Sequence, residues 1–288
     1  THFQTYGHQY GKAFNAHYQA QGFHPLMVFD GMTGDCLKVE LRAGNVYTSR
    51  NIVSFIGPLL SHYQKRFPSS YRIVRGDSGF AHKELYKLCE TLNTNYVIRL
   101  KANATLYRLA KEVMDVFLEE CSLQYSQQFY GEFEYQAKSW DRPRRVIVQV
   151  RRKAGELIPD YLFLVTNMET RPEMVISLYA KRGTMENYIK ECKNGFRMDK
   201  VSHKHWMTNV NRIQLMVLAY NLINGFRRLT LPHEFSKMQI ETLRIKLIKI
   251  AAKRVKQSRR IMFKLCSHHP YKEVFHHCLK TIQAIQLE

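Results

Sequence analysis

The spacing of apolar and polar positions divides this chain into stretches of period two and stretches of helical period. Residues 25–29 and 36–41 are short strand-like runs, and Asp30-Gly31-Met32-Thr33-Gly34 between them carries turn chemistry, which predicts a hairpin. Residues 50–67 have a helical period, with Ile52, Phe55, Ile56, Leu59 and Tyr63 on one side. Residues 71–75 then read as a strand, 82–92 as a helix and 96–100 as a strand, an order that predicts a βαβ unit with parallel strands. Asp77 would stand at the C-terminal end of a central strand, where open α/β sheets place their ligands. After a helical piece at 106–119, alternating runs around 129–137, 146–151 and 161–165 predict an antiparallel insertion. Helical spacing returns at 173–193 and 210–229, and residues 241–264 read as a basic helical block. Residues 1–24, rich in Gly, Tyr, His and Gln, show no clean period and read as an irregular segment or edge strand.

The stretch from Tyr179 to Lys193 carries the most chemistry. Thr170 lies three residues before Glu173, a capping-box spacing that predicts a helix start near Pro172. On one continuous helix, at about 100° per residue, Tyr179, Arg182, Glu186 and Lys193 fall within roughly 60° of one another. A phenol, a guanidinium, a carboxylate and an ammonium in a row suit work on phosphate. A carboxylate holds a divalent metal, Arg grips phosphate bidentately and Lys places a point charge. A solvated helix face explains the same stripe on its own.

Composition narrows the partner. The 288 residues carry 44 Lys and Arg against 24 acids, a formal net charge of +20, which points to a polyanion: nucleic acid first, an anionic membrane surface second. A hydrophobic content of 45% with 12% aromatics excludes a disordered chain. No apolar run reaches the roughly 18 residues a membrane helix needs, since residues 213–223 are interrupted by Gln214 and Asn221. Six cysteines without a C-x-x-C pair fit free thiols in a reducing cytoplasm.

Gly76-Asp77-Ser78-Gly79 has the letters of a trypsin-like nucleophile motif. Its His motif is missing among His2, His8, His17, His24 and His62, and a short motif without its context carries little. A turn Asp between two glycines is the plain reading of Asp77. The spacing Tyr179-x2-Arg182-x3-Glu186-x6-Lys193, together with Asn187, Ile189, Lys190 and Glu191 in the same window, resembles the catalytic-helix signature of DDE transposases of bacterial insertion sequences. Arg75-Gly76-Asp77-Ser78-Gly79-Phe80 resembles the second-Asp motif of that group, in the family's order relative to the Glu-bearing helix. The likeness runs through nearly the whole chain, including Thr5-Tyr6-Gly7-x-Gln9, Asn15-x-His17, residues 22–26 and residues 41–46.

The resemblance implies an RNase H-like α/β mixed sheet with flanking helices. Its core would be residues 1–100 joined to 166–232, interrupted by a β-rich insertion at 101–165 and followed by a basic helical tail at 233–288. It further implies cleavage and strand transfer at insertion-sequence ends, assisted by Mg²⁺ or Mn²⁺, on double-stranded DNA carrying terminal inverted repeats and on target DNA. A homodimer in a synaptic complex, in the bacterial cytoplasm at the nucleoid, belongs to the same expectation. Asp77 and Glu186 would be the metal-binding, catalytic carboxylates, with Tyr179, Arg182, Lys190 and Lys193 on phosphates. The family's first Asp belongs just before the segment matched by Thr1–Gln9, so the chain is expected to be a fragment that lacks it. A catalytically impaired DNA-binding remnant of such a transposase is the alternative. Asp30 is the nearest stand-in for the first Asp, but D-G is first a turn signal.

Two further groups carry sharper and plainer readings. Cys266, His268, His269, His276, His277 and Cys278 could form a zinc site but match no standard zinc spacing, and surface His with buried Cys accounts for them. Trp140 and Trp206, each near basic residues, could stack on a base or pack in a core.

Overall fold

The computed structural model describes residues 1–119 and 124–286. They form two compact units, Thr1–Val46 with Thr184–Glu288, and Tyr47–Gly183.

The first unit opens with β1 (Phe3–Gln4), β2 (Ala13–Asn15) and β3 (Ala20–Phe23), an antiparallel sheet in the order β1-β3-β2. Sequence period did not show these strands, because each is only two to four residues long. The expected hairpin follows as β4 (Leu26–Phe29) and β5 (Cys36–Glu40). Asp30 builds its turn: Oδ1 accepts from the backbone N–H of Met32 at 2.6 Å and of Thr33 at 3.3 Å.

The second unit begins with α1 (Ile52–Arg66), which buries Ile52, Phe55, Ile56 and Leu60. Then come β6 (Ile73–Gly76), α2 (Lys83–Thr91) and β7 (Asn95–Arg99), with β6 and β7 parallel in the register Ile73↔Asn95, as the βαβ pattern requires. After α3 (Ala104–Glu119), β8 (Gln127–Tyr135), β9 (Arg144–Arg152) and β10 (Asp160–Thr166) are antiparallel to their neighbours. All five strands share one mixed sheet in the order β6-β7-β10-β9-β8. This corrects one expectation: the strand that leads to Asp77 is an edge strand. The near-continuous apolar runs Val146–Val148 and Phe163–Val165 are buried and take interior places, whereas Ile73, Val74 and Arg75 are only half-buried and tolerate an edge.

α4 (Pro172–Ala180) lies on the face that presents Val97, Ile147 and Leu164, burying Val175, Ile176 and Tyr179 against them. On β7 the alternate residue Tyr96 stacks on Tyr86 of α2 at 5.0 Å, and Trp140 packs edge-on against Tyr86 at 5.3 Å, so Trp140 is core. Arg144 is also core: its guanidinium donates to both oxygens of Glu90, at 3.0 and 3.2 Å, and lies over the rings of Tyr86 and Trp140.

Residues 173–193 are not one helix. α4 starts at Pro172 as expected, although no side chain caps it, so the Thr170–Glu173 box does not form. It ends at Ala180, where the Arg182 N–H bonds back to Tyr179 O at 2.8 Å, three residues rather than four, and α5 (Gly183–Asn194) begins afresh. Gly183, a weak helix former, favours the break.

Back in the first unit, α6 (Trp206–Thr230) lies on the β4–β5 hairpin. The polar residues that interrupt its apolar run serve β5: Asn221 exchanges two bonds with the backbone of Cys36, at 2.8 and 2.9 Å, and Gln214 donates to Val39 O at 3.3 Å. The Trp206 ring packs against Phe23 and so close to Gly11 (φ +79°) that a Cβ there would run into the ring. The tail departs from expectation. After α7 (Ile240–Leu243) and a π turn (Arg244–Ile248), the basic block becomes a β-ribbon of β11 (Ala252–Gln257) and β12 (Arg260–Leu265), and α8 (Lys272–Ala284) closes the described chain. Ile261, Phe263 and Leu265 alternate at period two and Ser258, at φ +49°, makes the turn, signals the basic composition obscured. Cys36, Cys89, Cys192 and Cys278 are buried and Cys266 is exposed, while Cys121 lies outside the described residues.

Candidate functional site

Asp77 follows directly on β6 and starts a short 3₁₀ turn, Ser78–Phe80. Its Oδ1 accepts the Gly79 N–H at 2.9 Å, which fixes the carboxylate at the strand end. The turn is tight: a Cβ on Gly76 would lie 3.1 Å from Phe80, and one on Gly79 would lie 3.1 Å from both Asp77 Oδ1 and Thr48. The other oxygen, Oδ2, accepts from Arg182 Nη2 at 3.2 Å, with the Asp77 side chain 40% exposed and that of Arg182 26% exposed. The α4–α5 break therefore places a guanidinium on the carboxylate, a reach that the single-helix reading did not provide.

Tyr179, at the end of α4, is buried beside this pair. Burial pushes its phenol pKa up, and the positive fields of Arg182, Arg99 and Arg75 oppose that shift, so the hydroxyl remains protonated as a donor. Arg75 Nη1 donates to Leu178 O at 2.7 Å, which ties β6 to the last turn of α4. The register pairs Arg75 with Val97, so Arg99, two residues on, shares a sheet face with Arg75. Arg99 was not singled out from the sequence, and Arg75 entered only as the first residue of the second-Asp motif. The signal that finds them is Arg at matching ends of two parallel strands.

The remaining candidates belong to the other unit. Glu186 and Lys190 are exposed on α5, one turn apart, and Lys193 follows on the same side. Lys193 is half-buried; its ammonium donates to His2 O at 3.0 Å and lies 5.7 Å from the Phe3 ring centre. Burial lowers its pKa and Asp199 partly restores it. Glu191 anchors α5: it accepts from Arg227 Nη1 at 3.0 Å and from the Ile240 N–H at 2.8 Å.

The structure thus gathers Asp77, Arg182 and Tyr179 in one unit and sets Glu186, Lys190 and Lys193 along one helix of the other. Among the described residues no group of three or more His, Cys, Asp or Glu stands ready for a metal ion, and this includes the Cys and His residues near the C-terminus. Cys278 instead donates to Thr230 O at 3.5 Å. Asp77 by itself fits a hard cation as one oxygen ligand, since its Oδ2 already holds a positive group. Asp30 has its turn role, and Ser78 lies inside the 3₁₀ turn. No helix among the described residues is long and apolar enough to cross a membrane.

A search of curated proteins finds no match. The family described as Transposase DDE domain group 1 matches residues 1–287, nearly the whole chain. Members of that family act on DNA in transposition-related cleavage, generally with divalent metal ions. Taken with an Asp presented at a strand end among arginines, the match settles the assignment: the chain belongs to the DDE transposase family.

Proposed function

We propose that this chain cleaves DNA at the ends of an insertion sequence and transfers the freed strand to target DNA, on an RNase H-like core. The reading rests on family membership, and the observation that carries it in the structure is the Asp77–Arg182 pair at the end of β6. Asp77 and Glu186 would hold Mg²⁺ or Mn²⁺. When bound, the ion neutralises charge on the phosphoryl oxygens and lowers the pKa of attacking water. The protein's own groups do the rest. Arg182, released from Asp77, offers a fork to a phosphate, and the neutral Tyr179 hydroxyl donates to a neighbouring one. Lys193 spends one of its three N–H donors on His2 O and has two for the backbone of the duplex, beside Lys190.

Asp77→Asn and Glu186→Gln keep shape and hydrogen bonding but remove charge. In the protein expressed from its complete reading frame, each should lower Mg²⁺-dependent cleavage of a duplex bearing the element's terminal repeats by about 10²-fold or more. Duplex binding should stay within about threefold. Arg182→Ala should weaken both binding and cleavage. Near-parental cleavage by either carboxylate variant would sink this mechanism, and a parent that binds the ends without ever cutting them would favour the DNA-binding remnant.

A further inference from the structure

The ribbon β11–β12 is exposed along nearly its whole length, with Val255 alone half-buried. An isolated two-stranded ribbon is marginal in water, so this one needs a surface to lie against. Its 14 residues, 252–265, hold six Lys or Arg and no acid. None of the six is ion-paired to an acid among the described residues. The register places Lys253 directly opposite Lys264 and Gln257 directly opposite Arg260, all on one face, with Arg254 and Lys256 on the other. Like charges directly across a ladder destabilise it, and an anion between them reverses the sign. Six residues per strand make a ribbon roughly 20 Å long. The DNA major groove, about 12 Å wide, admits a two-stranded ribbon of that width.

We propose that this ribbon lies in the major groove of duplex DNA with the face of Lys253, Gln257, Arg260 and Lys264 turned inward. Lys253 and Lys264, at the open end, straddle phosphate, while Gln257 and Arg260, beside the turn, reach base edges as amide and guanidinium groups do. The proposal rests on the DNA-substrate reading above and adds to it a recognition element separate from the carboxylates.

The test compares the parent with K253Q/R260Q/K264Q and with R254Q/K256Q, using a random-sequence 30-bp duplex and salt titration. All five side chains are exposed, so circular dichroism should be unchanged and Tm unchanged or slightly raised, the latter where the Lys253–Lys264 repulsion is removed. The triple variant should lose about two from the slope of log affinity against log salt, one for each lysine on phosphate, and the double variant less than one. Methyl green, which fills the major groove, should compete with the parent, and netropsin, which fills the minor groove, should not. A triple variant with parental slope and affinity overturns the proposal but leaves the DNA reading standing. A parent that binds no duplex at low salt sinks both. Loss of binding to phosphatidylserine vesicles with duplex binding intact would make the ribbon a membrane contact. Loss of self-association with duplex binding intact would make it a contact between copies. Either result overturns the proposal.

Discussion

At the scale of single residues, Asp77 is held by one backbone N–H and one guanidinium, and the room around it is limited. Gly79→Ala would set a methyl 3.1 Å from the Asp77 oxygen and from Thr48, so one of them must move by a few tenths of an ångström. Cleavage should fall at least tenfold with Tm lowered by only a few degrees, and assaying both on one preparation separates the effects. Glu90 makes a different prediction. Burial alone would raise its pKa, but hydrogen bonds from Arg144 and Tyr96 outweigh that and hold it below the usual value of 4.5. A depressed carboxylate contributes stability above its unfolded pKa, and that contribution is lost as pH falls through the folded value. Glu90→Gln should therefore cost about 2 kcal/mol at pH 7, by taking the charged partner from Arg144 Nε and Nη2 and leaving that guanidinium only Asp141, and progressively less in acid below pH 4. Urea unfolding of both proteins at pH 7 and pH 3.5 would show whether the difference narrows.

At the scale of elements, what was legible in the sequence depended on whether local period and tertiary demand agreed. The hairpin of β4 and β5, the βαβ unit around α2 and the long α6 were legible because alternation, turn residues and helical spacing all agreed. Asp77 could be named as a candidate from its place at a strand end, Arg182 and Tyr179 from a shared helical face, and all three from the family resemblance, but their meeting could not. It depends on a break at Lys181–Arg182 that helical period passes over. β6 at an edge was equally hidden, because strand order is decided by which apolar runs need cover on both faces. In the tail, the basic composition concealed an alternation only six residues long per strand. The break itself can be tested. A Cβ at Gly183 meets nothing within 4 Å, so Gly183→Ala should raise stability by about 0.5–1 kcal/mol through the unfolded chain and α5's first turn. A fall in Tm would mean that Gly183 has a backbone conformation alanine cannot share.

At the scale of the whole molecule, the net charge of +20 makes ionic strength the dominant variable in any DNA experiment. If binding neutralises six to ten phosphates, affinity for an arbitrary duplex should fall about 10³- to 10⁵-fold between 50 and 200 mM salt, readable by fluorescence anisotropy. Part of the basic surface is not available for this. Arg144 is buried on Glu90, and Arg145 is bonded to Glu132 and Met168 O, so these serve the fold. The distribution of thiols has a practical consequence. Burial holds Cys36 and Cys89 at a pKa of about 12, so at pH 8 only about one in ten thousand of either is thiolate. Cys266 is exposed and immediately follows β12. In a Cys121→Ser background, a maleimide dye added briefly at neutral pH should attach there first, and Cys266→Ser should remove that fast phase. The labelled protein would then carry a fluorophore at the base of the ribbon, whose emission reports when that end of the molecule leaves water for a groove.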